Sequence, residues 1–230
     1  MTYSCPVHKG TFLRRPNRFI AHVLLNGKEE VCHVKNTGRC KELLVENAVV
    51  YLAESSNPLR KTKWDVIAVE KQGRIFNIDS QIPNDVAKEF VTQEYSDYVV
   101  KREVFYKNSR FDLMIEKDNA KTFIEVKGVT LEKDNIAMFP DAPTERGKKH
   151  LLELIDAKNN GFGAKIIFVI QFDGATEFRP NWKTDPQFAA ALVKAWENGV
   201  EICAYDCFVT ADSIKIKNEV EVCLDSSLQT

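Results

Sequence analysis

Arg110-Phe-Asp-Leu-Met-Ile-Glu116 and Lys121-Thr-Phe-Ile-Glu-Val-Lys127 are two runs that alternate apolar and polar residues with period two, separated by Lys117-Asp-Asn-Ala120. That pattern predicts a β-hairpin. A two-residue loop at Asp118-Asn119, or a four-residue loop over 117–120, sets Asp112 opposite Glu125 and Arg110 opposite Lys127. Directly opposed side chains lie about 4.5–5.5 Å apart at Cβ, and like charges there are destabilising. The other face would carry Phe111, Leu113 and Ile115 against Thr122, Ile124 and Val126, an apolar set that requires a core. Two facing carboxylates beside an ammonium are a poor way to build a sheet, and a good way to hold a divalent cation next to a water. If a strand over 98–106 turns through Lys107-Asn108, Glu103 falls opposite Asp112 and completes a row of acids over three strands. A solvent-facing ladder of ion pairs is the plainer alternative for the same residues.

Working outward, Asn84 is placed to cap a helix over 85–95. Asp141-Ala-Pro-Thr144 opens a helix over 144–160 with Leu151, Leu154 and Ile155 as its apolar stripe and Gly161 as its stop. Residues 164–172 form a β-branched run typical of a buried strand. Asp185-Pro186 starts a helix ending at Gly199, and strands follow over 200–207 and 213–223. This succession is an α/β unit in which an antiparallel hairpin feeds parallel strands. Residues 1–83 read as all-β, with runs over 18–25, 29–35, 48–54, 64–71 and 73–79. They are separated by turn signals such as Asn26-Gly27, a strong hairpin dipeptide. A single helical turn fits Cys40 to Val45. Five short strands and one turn of helix predict a small barrel, with an OB-fold the natural choice and an SH3-like barrel the alternative. The expected domains are therefore 1–83, a barrel, and 84–230, an α/β domain.

The chain has 230 residues, 44% hydrophobic and 28% charged, within the range of ordinary globular proteins. The apolar runs, such as Ile166 to Ile170, are too short to span a bilayer, and the N-terminus has no apolar signal region. A cytoplasmic protein without a membrane partner is expected. The six cysteines show no Cys-x-x-Cys pair and are read as reduced thiols. Net charge is −1, but the first 83 residues hold 13 Lys and Arg against 8 Asp and Glu. The excess is concentrated in the first 41 residues, where the tally is 8 against 2.

Two basic clusters stand out. Glu145-Arg-Gly-Lys-Lys-His150 places Arg146, Lys148 and Lys149 at a helix N-terminus, against the macrodipole, where an external phosphate would relieve them. Arg14, Arg15 and Arg18, with Arg39 and Lys41, lie in loops of the barrel near Phe12 and Phe19. Charge along a backbone plus aromatic stacking is how OB-folds hold single strands. The alternatives are a merely exposed basic face and phenylalanines that belong to the core. No Walker loop, dinucleotide fingerprint or Ser-His-Asp elbow is present.

Asn108-Ser-Arg-Phe-Asp112, Phe123-Ile-Glu-Val-Lys-Gly128 and Met138-Phe-Pro-Asp-Ala-Pro-Thr-Glu-Arg-Gly-Lys-Lys-His150 resemble the sugar fermentation stimulation protein A family of bacteria and archaea. Arg14-Arg-Pro-Asn-Arg-Phe19 and His33-Val-Lys-Asn-Thr-Gly-Arg-Cys40 extend that likeness over essentially the whole chain. The resemblance implies an OB-like domain followed by a domain similar to the PD-(D/E)xK nucleases, a restriction-endonuclease-like α/β fold. It also implies DNA as partner and a link to sugar (maltose) utilisation. Carried over, the nuclease-like residues are Asp112, Glu125 and Lys127, with Glu103 and Glu145 as looser candidates. Phe111 stands where such nucleases carry proline, a departure that lowers the motif's specificity. The implied metal is Mg²⁺ or Mn²⁺ on Asp112, Glu125 and Glu103. Arg14, Arg15, Arg18, Arg39, Arg110, Arg146, Lys148 and Lys149 are the candidate nucleic-acid contacts. Three functions remain open from the residues: a DNA-binding regulator with a nuclease-like metal site, an active metal-dependent endonuclease or nickase, and a barrel binding a small anion or protein partner. Strand preference, and whether the chain forms a homodimer, are not encoded in any motif.

Overall fold

The structure, a computed structural model, describes residues 1–36, 38–55, 57 and 59–225. Six strands come first: β1 (Val7–Arg14), β2 (Ile20–Leu25), β3 (Lys28–Val34), β4 (Val49–Glu54), β5 (Trp64–Lys71) and β6 (Arg74–Asn77). They lie in the order β3-β2-β1-β4-β5-β6, and a parallel pairing of β3 with β5 closes the first five into a barrel. Asn26 and Gly27 both take positive φ (51° and 79°), the backbone that the β2–β3 hairpin turn demands. The expected helical turn is a single one, closed by Leu44 N donating to the Cys40 carbonyl at 2.9 Å.

β1 is a strand that the pattern did not announce, because Gly10 interrupts its alternation. A Cβ on Gly10 would meet Val23 Cγ1 at 2.7 Å and the Leu24 carbonyl at 3.1 Å, so glycine lets β1 lie close on β2. Phe12 from β1 is buried in the barrel core with Val23, Val34, Leu52 and Val66, while Phe19 is 53% exposed.

The second unit contains α1 (Ile82–Glu94), β7 (Val99–Tyr106), β8 (Ser109–Lys117), β9 (Ala120–Val129), β10 (Leu131–Lys133), β11 (Ile136–Phe139), α2 (Glu145–Asn159), β12 (Gly163–Ile170), β13 (Glu177–Pro180), α3 (Pro186–Glu197), β14 (Glu201–Val209) and β15 (Ile214–Val222). Its nine strands run β10-β11-β13-β15-β14-β12-β9-β8-β7. β9, β12 and β14 are mutually parallel, and the β7–β8–β9 hairpins are antiparallel. This is the expected α/β plan, with the short strands β10, β11 and β13 added. Helix α1 covers one face through Ile82, Val86 and Val91 against Leu113, Ile124 and Val169. Helices α2 and α3 cover the other through Leu151, Leu154, Phe188 and Leu192 against Phe123, Ile166 and Phe168.

Helix α1 starts three residues earlier than expected, with Gln81 at its N-cap and no side-chain cap. Asn84 lies inside the first turn and has a different task, described below. The N-terminal residues cross to the second unit: Thr2 bridges Ser213, and the Met1 amine donates to the Ile214 carbonyl at 3.0 Å. The barrel's own attachment includes stacking of Phe76 on Phe172, 4.6 Å between centroids, and an ion pair of Lys71 with Glu132 at 2.6 Å. All six cysteines are free. Among the described residues no helix is long and apolar enough to cross a membrane.

Candidate functional site

The hairpin register is the expected one, from Lys117–Ala120 to Leu113–Ile124. On the far side of β8, Arg102 pairs with Leu113 and Val104 with Phe111. Between them, at Asp112, regular pairing stops on both sides. Glu103 has φ 53°, and Phe111 joins Met114 and Phe123 in the core beneath α2 instead of joining Leu113 beneath α1. The expected apolar row Phe111-Leu113-Ile115 is thus broken at its first member, because the alternation changes phase at Asp112.

The Asp112 carboxylate replaces the missing ladder. Its Oδ2 accepts the Val126 N–H at 2.8 Å, and its Oδ1 accepts from Asn84 Nδ2, also at 2.8 Å. Asn84 therefore serves as the clamp that ties α1 to this acid. Gly128 permits the approach: a Cβ there would meet Gln171 Oε1 at 2.5 Å and Pro83 Cγ at 2.6 Å. Glu103 is not brought to this place. Its side chain is 62% exposed and faces Arg110 at 3.4 Å, so Arg110 pairs with Glu103 and not across to Lys127. The expected row of three acids reduces to Asp112 and Glu125.

Glu125 is 1% exposed. Its Oε1 accepts from Lys127 Nζ at 2.5 Å and from His150 Nδ1. Its Oε2 is buried and has no hydrogen-bond partner. His150 arrives on α2, whose start is fixed by Thr144 accepting from Gly147 N at 3.0 Å. The two acids are pushed apart. Burial, followed by the Glu125 charge, holds the Asp112 carboxyl above the usual range. Burial also pushes Glu125 up, but the His150 hydrogen bond and the Lys127 charge outweigh it and leave Glu125 below the usual range. The more deeply buried carboxyl, Glu125, is thus the one whose pKa is lowered.

Among the described residues no group of three or more His, Cys, Asp or Glu is arranged to hold an ion. Asp112 and the unpartnered Glu125 Oε2 are two hard oxygen donors, which suits Mg²⁺ or Mn²⁺ completed by water and does not suit a tetrahedral zinc site. His150 was not among the candidates read from the sequence. Its position in the helical stripe beside Leu151 and Leu154 was the available signal, since a histidine on a buried face needs a partner.

The basic residues separate into three kinds. Arg14 is consumed by Glu29, with Nη2 2.5 Å from Oε1, and by His22. Arg15 is a staple: its guanidinium donates to the carbonyls of Arg18, Asn36, Gly38 and Arg39 at 2.6–3.1 Å. Arg18, Arg39 and Lys41 have no side-chain partner among the described residues. All three line one concavity of about 620 Å³, floored by Phe12 and Leu44 and walled by Ala142 and Pro143 of the segment leading into α2. The Arg39 N–H donates to Asp141 Oδ2 at 2.9 Å, fastening barrel and segment together there. On α2, Arg146 Nε approaches His150 Nε2 at 3.5 Å, Lys148 donates to Gln187 at 2.6 Å, and Lys149 lies 3.7 Å from Glu153.

An OB-like barrel carrying a partner-free basic concavity, joined to a restriction-endonuclease-like sheet with Asp112 and Glu125-Val-Lys127 at its splayed strands, defines the class of protein. Residues 13–78 match the family profile described as the SfsA N-terminal OB domain, and residues 81–213 match the sugar fermentation stimulation protein RE domain. Curated relatives named sugar fermentation stimulation protein homolog include one from Clostridium beijerinckii, 53% identical over 94% of this chain and 97% of that protein. Another, from Ruminiclostridium cellulolyticum, is 52% identical over the same shares. The solved structure of Pyrococcus furiosus SfsA in complex with Ca²⁺ superposes with a TM-score of 0.86 at 30% identity, covering 96% of this chain and 97% of that one. The chain belongs to the sugar fermentation stimulation protein family.

Proposed function

We propose that this chain is a DNA-binding protein that holds a divalent cation, Mg²⁺ or Mn²⁺, on Asp112 and Glu125. The observation that carries the reading is Glu125 Oε2, a buried acceptor with no partner, on a carboxylate held ionised. An acceptor left so is costly unless something outside the chain completes it. The Pyrococcus furiosus relative, described in complex with Ca²⁺, is consistent with a hard-cation site in this family. The DNA partner is supported by Arg18, Arg39 and Lys41 around one concavity with the exposed Phe19 nearby in sequence. A role in sugar utilisation follows from the family's name.

Phosphodiester hydrolysis is the second reading, and Lys127 favours it. A bound divalent cation would polarise a phosphate and lower the pKa of a coordinated water. Lys127 is 17% exposed and pairs with Glu125, where its ammonium can offset charge developing on a phosphate oxygen. The test uses the full chain. Mn²⁺ binding is measured by calorimetry, and nicking of supercoiled DNA is followed with Mg²⁺ present. Glu125→Ala is expected to abolish Mn²⁺ binding and any nicking. Absence of Mn²⁺ binding by the parent chain refutes the metal site. Binding without nicking refutes hydrolysis alone, and nicking that survives Glu125→Ala belongs to a contaminant.

A further inference from the structure

We infer that His150 is a positioning residue that turns Glu125 so that Oε2 alone is presented as the ligand atom; this rests on the metal reading above. Other buried carboxylates of the chain, Asp65, Glu132 and Asp206, receive donors on both oxygens. In Glu125 both donors, Lys127 Nζ and His150 Nδ1, converge on Oε1, and Oε2 receives none. Of the two donors, the imidazole is the rigid one. It is 6% exposed, packs edge-on against Phe111 with centroids 6.4 Å apart, and sits in the second turn of a side-chain-capped helix. Lys127 has a flexible stem and partial access to solvent, so it cannot by itself fix the carboxylate plane.

The ring's other nitrogen completes the assignment. Arg146 Nε approaches His150 Nε2 at 3.5 Å as a donor, and Nδ1 is the ring nitrogen that donates to the Glu125 carboxylate. An apolar residue would fill this place in the α2 stripe at less cost than a histidine. What histidine adds is a directed N–H at one chosen oxygen. Outer partners of this kind keep a ligand oriented, and their loss typically weakens metal binding.

The experiment measures Mn²⁺ affinity of the full chain by calorimetry for the parent, His150→Leu and His150→Asn, with thermal melting in metal-free buffer alongside. His150→Leu is expected to weaken Mn²⁺ binding about 10- to 100-fold. His150→Asn, whose amide nitrogen takes the place of Nδ1, is expected to restore most of that loss, whatever either variant does to the melting temperature. If His150→Leu does not fold, His150→Gln supplies the comparison, because its amide reaches the place of Nε2 and leaves Nδ1 unreplaced. Parent-like affinity in the variant lacking the Nδ1 donor, or no recovery in His150→Asn, overturns the positioning role while the metal site stands. A parent chain that takes up no Mn²⁺ overturns both, and is recognised as a failure of the metal reading itself.

Discussion

Replacing Arg18, Arg39 and Lys41 together by alanine removes the three cations that line the barrel concavity without a partner of their own. If each meets one phosphate, the slope of log affinity against log salt should flatten by about 0.9 per contact on duplex DNA, or about 0.7 on a single strand. The triple variant should therefore lose roughly 2.7 of slope on duplex and roughly 2.1 on single strands. At about 0.15 M salt each contact contributes about fivefold to affinity, so the triple variant should bind roughly a hundredfold more weakly. Fluorescence anisotropy with labelled single- and double-stranded DNA of equal length, between about 50 and 200 mM salt, reads both quantities. Arg14→Ala is the control. Arg14 is likewise an exposed cation, but it is held by Glu29 and His22 and should leave the slope where it was. A triple variant with the parental slope refutes the assignment. So does an Arg14→Ala effect as large per residue as that of the pocket cations, because the interface would then follow charge alone and not freedom from ion pairing.

Two further outcomes follow from the same geometry. Arg15→Ala should lower stability by about 3 kcal/mol in urea unfolding, because four carbonyls lose a charged donor at once, and any loss of DNA affinity should track the unfolding. Asp65 is buried, which pushes its carboxyl up, but the Arg60 hydrogen bond and the Lys35 charge outweigh burial and hold it below the usual range. A lowered folded pKa contributes stability that is fully present above the unfolded value of about 3.9 and is lost as pH falls through the folded one. The gap in urea midpoint between the parent and Asp65→Asn should accordingly close progressively below about pH 4; a gap that is unchanged at low pH would contradict this.

Much of the fold was readable because its signals are local. Asn26-Gly27, Thr144, Asp185 and Gly161 act within a few residues, so the turns and the ends of α2 and α3 fall where the sequence places them. β1 was missed for a physical reason: Gly10 is required by the closeness of Val23, a neighbour remote in sequence, and the same glycine erases the alternation by which a strand is recognised. β10, β11 and β13 are three or four residues long, and β13 is held between β11 and β15, a placement no local pattern records. Cations posed a similar difficulty. Arg14, Arg15 and Arg18 are indistinguishable by composition, and only the fold separates an ion pair, a loop staple and a free charge.

The candidate site shows why a correct register can still mislead. Pairing on either side of Asp112 follows the expected numbering, yet regular geometry would have stacked Glu103, Asp112 and Glu125 in one row of opposed charges. That row is disfavoured. The strands avoid it by dropping the pairing at Asp112, by turning Glu103 outward through a positive φ, and by sending Phe111 to the opposite core. Repulsion that the sequence pattern presented as a reason for a cation is thus relieved first by the backbone, and the proposed cation would complete only what the backbone leaves unsatisfied. What it leaves is one oxygen, Glu125 Oε2, beside an Asp112 already engaged by Val126 and Asn84. The residue types were legible from alternation alone. Which atom is open was not, because that depends on His150, whose contact with Glu125 is made by packing α2 onto β9 across 25 residues of chain.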